Sequence, residues 1–156
     1  MERPIPITED QRLALGVYVK LMRASSFVTA RMHKHLAEWK LTMSQFGVLE
    51  ALLHLGSMTQ QDLGRKILKS SGNITMVIDN LEKRRLVSRK TDPGDRRRTR
   101  INLTTEGNAI IREIFPKHAE ITEQVFSVLS ETDCQQLASL LRKLGRGQGF
   151  SQQNKQ

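Results

Sequence analysis

Four hydroxyl residues punctuate the chain. Thr8 stands three before Gln11, Thr42 before Gln45, Thr59 before Asp62 and Ser130 before Asp133. Each hydroxyl can accept from the amide three residues on, while the later side chain reaches back to the first amide. The Gln pairs are full capping boxes and the Asp pairs weaker relatives. Three starts also carry an apolar staple across the cap: Leu41 with Phe46, Met58 with Leu63, and Leu129 with Cys134. Such marks fix where helices begin, so the chain is expected to be mainly α.

The apolar spacing predicts six helices. The first, 8–38, aligns Leu13, Val17, Leu21, Ala24, Val28, Met32, Leu36 and Trp39. The second, 43–55, carries Phe46, Leu49 and Leu53 and stops at Gly56. A short third helix, 60–68, precedes a fourth over 71–85, where Ile74, Val77, Ile78 and Leu81 follow the i, i+3, i+4, i+7 pattern. Two short strands, about 86–90 and 99–103, flank the turn Asp92-Pro93-Gly94-Asp95. A fifth helix runs from Thr104 or Thr105 to about 129, and Pro116 is expected to kink or break it. The sixth, 132–144, shows Leu137, Leu140, Leu141 and Leu144. The Gly-rich polar tail is expected to be disordered.

The charge is concentrated. Of the formal +9 carried by 156 residues, residues 83–100 hold a large part: nine Lys and Arg against Asp92 and Asp95. A solvated face usually mixes signs, so this excess points to a polyanion, foremost nucleic acid. The N-terminus lacks the apolar stretch of a signal peptide, and no uninterrupted apolar run is long enough to span a membrane. A soluble cytoplasmic protein is the expectation. One cysteine, Cys134, excludes an intrachain disulfide and a cysteine zinc finger.

The third and fourth helices, joined by a tight turn, make a candidate helix-turn-helix; the plain alternative is an ordinary helical hairpin. The start of the fourth helix offers small or polar residues, Ser71, Gly72, Asn73, Thr75 and Met76, suited to a groove. Asn73 can pair with adenine, and Thr75 or Met76 can meet a thymine methyl. The Arg-rich hairpin follows at once, and arginine suits the negative potential of a narrow minor groove.

At this point the chain resembles the MarR family of bacterial winged-helix regulators, over about residues 8–145. The resemblance rests on DPGDRRRTRINLTTEG after NLEKRRLVSRK, and on SSGNITMVIDNLEKRRLV. FGVLEAL and the Ser-Gly-Asn-Ile-Thr start of the fourth helix look closest to the branch sensing quinones or phenolic compounds. The resemblance implies an N-terminal dimerisation helix (1–40), a winged helix-turn-helix lobe (41–104), C-terminal dimerisation helices (105–145) and the tail (146–156). It implies a homodimer on a pseudo-palindromic DNA operator, usually a repressor released by a small aromatic ligand or an oxidant. The reading helix then runs from Ser70 to Met76. Arg97 is the minor-groove probe and Asp95 a brace for the wing. Lys69, Arg89, Arg96, Arg98 and Arg100 complete the DNA-binding set, with all but Arg96 assigned to phosphates.

Other chemistry is poorly served. His33 and His35 point to different faces, and no His-Glu-x-x-His exists, so no metal or other cofactor is expected. No nucleophile–base pair or paired carboxylates suggest an enzyme. Cys134 sits where a staple residue packs, and buried thiols are usually inert. Phe27, His33, Met43, Phe46 and His54 are candidates to line an effector pocket, with core packing as the plain alternative for the apolar three. An architectural or RNA-binding winged helix without an operator, and a subunit meeting an acidic protein, are the competing functions.

Overall fold

The computed structural model describes residues 5–67 and 71–146, with the side chains of Ser71 and Gly72 left out. Its elements are α1 (Glu9–Ala37), α2 (Met43–Leu55), β1 (Met58–Thr59), α3 (Gln60–Lys66), α4 (Ser71–Lys83), β2 (Val87–Thr91), β3 (Thr99–Leu103), α5 (Thr105–Phe126) and α6 (Glu131–Gly145). The helix expected at 60–68 ends at Lys66, with Ile67 as its C-cap, and the expected tail lies outside the described residues from 147 onward. The chain forms two compact units, Met1–Ala119 and Glu120–Gln156.

The caps act as the sequence anticipates. Thr8 and Thr42 close full boxes with Gln11 and Gln45. Ser130 closes one with Asp133 too, because the carboxylate reaches the Ser130 amide at 3.2 Å. Thr59 accepts from the Asp62 amide but donates its hydroxyl to that carboxylate, leaving the box one-sided. Such caps contribute about 1 kcal/mol each. Pro116 does not break α5, which runs continuously through it. An interior proline removes one backbone hydrogen bond and crowds the preceding turn; here that turn carries Ile111 and Ile114, both fully buried in the core.

Two helices end on non-glycine residues in the left-handed region, Lys40 at φ 54° and Arg85 at φ 58°. Behind each, the next amide turns back into the helix: Leu41 N–H to Leu36 O and Leu86 N–H to Leu81 O. These are Schellman-type stops, and the apolar residue after each is buried. Arg84 then donates to the carbonyls of Lys40 and Trp39, at 2.7 and 3.2 Å, pinning the α1–α2 turn to the end of α4.

The sheet is antiparallel in the order β1-β3-β2. β2 pairs with β3 from Val87 opposite Leu103 to Thr91 opposite Thr99. β1 adds two residues, Met58 opposite Ile101 and Thr59 opposite Arg100, and is too short to leave an alternating pattern. The core of the first unit gathers Leu36, Phe46, Leu49, Leu63, Ile78, Leu81, Ile101 and Ile111 among others. Each such side chain contributes about 1.5–3 kcal/mol on burial. The motif Leu103-Thr104-Thr105-Glu106-Gly107 has a physical reason. Thr104 donates its hydroxyl to Arg85 O at 2.6 Å and accepts from the Gly107 amide at 2.9 Å. A Cβ on Gly107 would lie 1.8 Å from Leu86 O, so only glycine lets α5 start against the end of α4.

The apolar stripe of α1 divides. Met32 and Leu36 are buried, whereas Leu13, Val17, Tyr18 and Phe27 are more than half exposed. One 18-residue window of α1 reaches a mean hydropathy of 1.2 with none of it buried. By length and composition this helix therefore passes the threshold for a membrane span, which counting uninterrupted apolar runs misses. On α6, Leu140 and Leu144 are likewise exposed.

Candidate nucleic-acid interface

The hairpin tip is built around Asp92. One carboxylate oxygen accepts from the amides of Gly94 and Asp95, at 2.8 and 3.2 Å, and the other pairs with the Arg100 guanidinium. The bond from Arg100, then the backbone amides, hold the Asp92 carboxyl below its ordinary range. Arg100 also donates to Ser57 O at 2.7 Å, tying the tip to the approach of β1. Asp95 accepts from the Arg97 amide at 3.0 Å and pairs with the Arg98 guanidinium at 3.4 Å. Thus Asp92 is a brace the sequence reading missed, although an Asp two before a glycine is a recognisable Asx-turn signal. Arg96 and Arg97 are exposed and form no ion pair among the described residues.

Arg89 couples this wing to α4. Its guanidinium meets Asp79 at 2.5 Å and also Glu82, while its amide donates to Glu82 at 3.2 Å. Partial burial alone would lower its pKa, but the bonds to Asp79 and Glu82 prevail and raise it. Arg89 and Arg100, expected from sequence to face phosphates, are thus occupied by acids. Their charge is matched locally, and their geometry fixes where the wing stands.

On α4, Asn73 and Met76 are exposed, Met76 at 59%. Thr75, expected to meet a base, is half-buried, and its hydroxyl accepts from Gln60 Nε2 at 2.6 Å. It ties α3 to α4 instead. Lys69 and Ser70 lie outside the described residues. Ser71 and Gly72 lie in the first turn of α4.

The expected effector residues are dispersed. Phe27 is exposed on α1 beneath Arg31, whose guanidinium carbon lies 5.3 Å from the ring centre, and His33 is exposed. Met43 is half-buried against the core, and Phe46 is buried, so both serve packing. His54 is exposed, set edge-on to Phe115 at 4.9 Å, and lines a cleft of about 440 Å³ between α2 and α3. His35 is 5% exposed on the buried stripe of α1 and has no hydrogen-bond partner for Nε2 among the described residues. His118 lies 5.9 Å from it and 4.1 Å from Phe46. Burial, then the neighbouring His35, lowers the His118 pKa.

A short helix packed on a second helix, with an Arg-tipped hairpin locked beside it, is the frame of a winged DNA-binding domain. The MarR family model matches residues 41–99, from the end of α1 to the start of β3. The regulator MhqR of Bacillus subtilis is 38% identical over 132 residues, covering 85% of this chain and 91% of its own. The transcriptional repressor NicR of Pseudomonas putida is 30% identical over 124 residues, covering 80% and 78%. Among solved structures, that of Bordetella bronchiseptica BpsR, described as regulated in its DNA binding by 6-hydroxynicotinic acid, superposes with a TM-score of 0.75. It is 31% identical, covering 83% of this chain and 98% of its own. Fold, wing and relatives converge: the chain belongs to the MarR family of winged helix-turn-helix, DNA-binding transcriptional regulators.

Proposed function

We propose that two copies of this chain pair through α1 and the C-terminal helices and act in the cytoplasm as a repressor on a pseudo-palindromic operator. It works by binding, without catalysis, and a small aromatic molecule or an oxidant releases it. The pairing is supported by the exposed large apolar residues on α1 and, separately, on α6, since exposed apolar patches mark interaction surfaces. A bilayer is a poorer partner for α1, because Lys20 and Arg23 interrupt its apolar stretch, and each such charge costs about 2.5–3.5 kcal/mol at a span's centre.

Each copy lays α4 in a major groove. Asn73 and Met76 face base edges, and the proposed DNA-binding set also includes Lys69, Ser70, Ser71 and Gly72. The half-sites stand about one turn, roughly 10 base pairs, apart. Arg97 enters the minor groove, while Arg96 and Arg98 meet phosphates. Arg89 and Arg100 hold the wing in register with α4. The observation that carries this reading is the pair of unmatched arginines, Arg96 and Arg97, on a tip fixed to the reading helix. Repression and an aromatic effector are supported by what is said of NicR and of BpsR. An oxidant would act through Cys134; a normal oxidant response in Cys134→Ser removes that route.

Selection from a random duplex pool, followed by sedimentation of the complex, tests the reading. Recovery of an inverted repeat bound by two copies is the expected result. Binding with no repeat would favour an architectural protein, and no binding at low salt would sink the DNA-binding role altogether.

A further inference from the structure

Arg84 stands one residue past α4 and belongs neither to the wing nor to the residues proposed to face bases. It is exposed, yet its guanidinium is engaged. Nη1 donates to Lys40 O at 2.7 Å and Nη2 to Trp39 O at 3.2 Å. These carbonyls belong to the turn that closes α1, where the helix dipole leaves partial negative charge and a cation is stabilising. An arginine at the end of α4 thus caps α1 from 44 residues along the chain. Both ends of the link are firm. Leu36 and Leu41 are buried on either side of the α1 turn, and Trp39 packs against the core. Leu81 and Leu86 are buried on either side of Arg84. The same stretch meets the approach to α5, because Thr104 donates its hydroxyl to Arg85 O at 2.6 Å and its amide to Leu86 O at 3.2 Å. Nearer its other end α4 meets α3, through Thr75 and Gln60.

We propose that Arg84 is a positioning residue: it sets the distance between the two reading helices by fixing α4 to the end of α1, and does not itself touch DNA. The inference rests on the reading that two copies pair through α1 and the C-terminal helices. Pairing then fixes where each α1 ends, and Arg84 carries that position to α4. The leverage is large. Asn73 lies ten residues before Lys83, about 15 Å along the helix axis. A tilt of about 10° at the clamped end moves Asn73 by roughly 3 Å, close to the rise of one base pair, ~3.4 Å. The planar fork of arginine suits the task. Two N–H groups in one plane, each on its own carbonyl, define an orientation as well as a distance, whereas the point charge of a lysine defines only a distance.

The test uses the full chain and the selected inverted repeat, with its half-sites moved apart or together by one and by two base pairs. Anisotropy reads the affinity at each spacing, and sedimentation reads the number of copies bound. The wild type should prefer one spacing. Arg84→Ala should still bind as two copies, with the advantage of that spacing reduced by about tenfold at an unchanged salt slope. Arg84→Lys should restore part of the preference. Lys83→Ala removes the same charge at the neighbouring exposed position and should keep all of it. A wild-type spacing profile in Arg84→Ala overturns the proposal, even if the melting temperature falls. A loss equal at every spacing, with the salt slope lowered by about 1, would make Arg84 a phosphate contact and overturn it as well. Binding of the wild type as single copies would overturn the pairing and the proposal with it, and sedimentation separates that outcome from a failure of Arg84 alone.

Discussion

Arg89 of the wing strand closes on Asp79 of the reading helix at 2.5 Å and on Glu82 one turn further along. The two parts proposed to reach adjacent grooves are thereby joined by one side chain. Its charge serves orientation, and the exposed arginines at the tip carry the proposed DNA contacts.

Arg89→Ala should therefore harm DNA binding more than folding. The acids it pairs with are 46% and 40% exposed, so solvent screening limits the loss of stability to about 1 kcal/mol. DNA affinity should fall by roughly tenfold, because the wing loses its fixed position. Thermal denaturation and fluorescence anisotropy measure the two effects, and equal affinity in the variant would contradict the role.

Asp92 makes wing order depend on pH at the acid end. Its carboxyl is held below the ordinary value by Arg100 and by backbone amides. The folded tip therefore binds its proton less readily than the unfolded chain. That contribution is present above the unfolded pKa of about 3.9 and is lost as pH falls through the lower folded value. Asp92→Asn should abolish this dependence and raise amide exchange at Gly94 and Asp95, read by NMR.

His118 acts in the same direction nearer neutrality. Burial, and then His35, lower its pKa, so the folded state resists a proton that the unfolded chain accepts. Stability is full above about 6.5 and is lost as pH falls through the depressed folded value. His118→Phe should flatten the melting temperature between about pH 5 and 7. A profile unchanged by the substitution would count against the His35–His118 pair as its source.

Gly107→Ala should be severe for so small a change. The added carbon would stand 1.8 Å from Leu86 O, a backbone atom that cannot swing aside. Overpacking of this kind costs about 1–3 kcal/mol or more. Denaturant unfolding should show a lower midpoint, and a wild-type midpoint would mean that α5 starts elsewhere.

Much of the fold was legible because caps and apolar periods are local. Thr42 with Gln45 places the start of α2, and Ile74, Ile78 and Leu81 turn α4 to the core. β1 was not legible, since two residues carry no period and pair only because Ile101 and Arg100 arrive from far along the chain. The continuity of α5 through Pro116 depends on packing that the sequence does not display. In the wing, sequence marked the charge but could not divide it. Arg89 and Arg97 look alike in a string, and only the folded positions of Asp79 and Glu82 separate the paired arginine from the exposed one. The burial of His35 was not legible for a similar reason, because its ring meets His118, far along the chain.

The central claim is that Arg97 enters the minor groove while Arg98 meets a phosphate. Anisotropy titrations of the selected inverted-repeat duplex over a salt series test it, comparing the wild type with Arg97→Ala and Arg98→Ala. Arg98→Ala should lower the salt slope by about 1 and keep the sequence preference. Arg97→Ala should weaken binding and flatten the preference for A·T pairs beside each half-site, at unchanged melting temperature. Wild-type affinity and preference in Arg97→Ala would contradict the account.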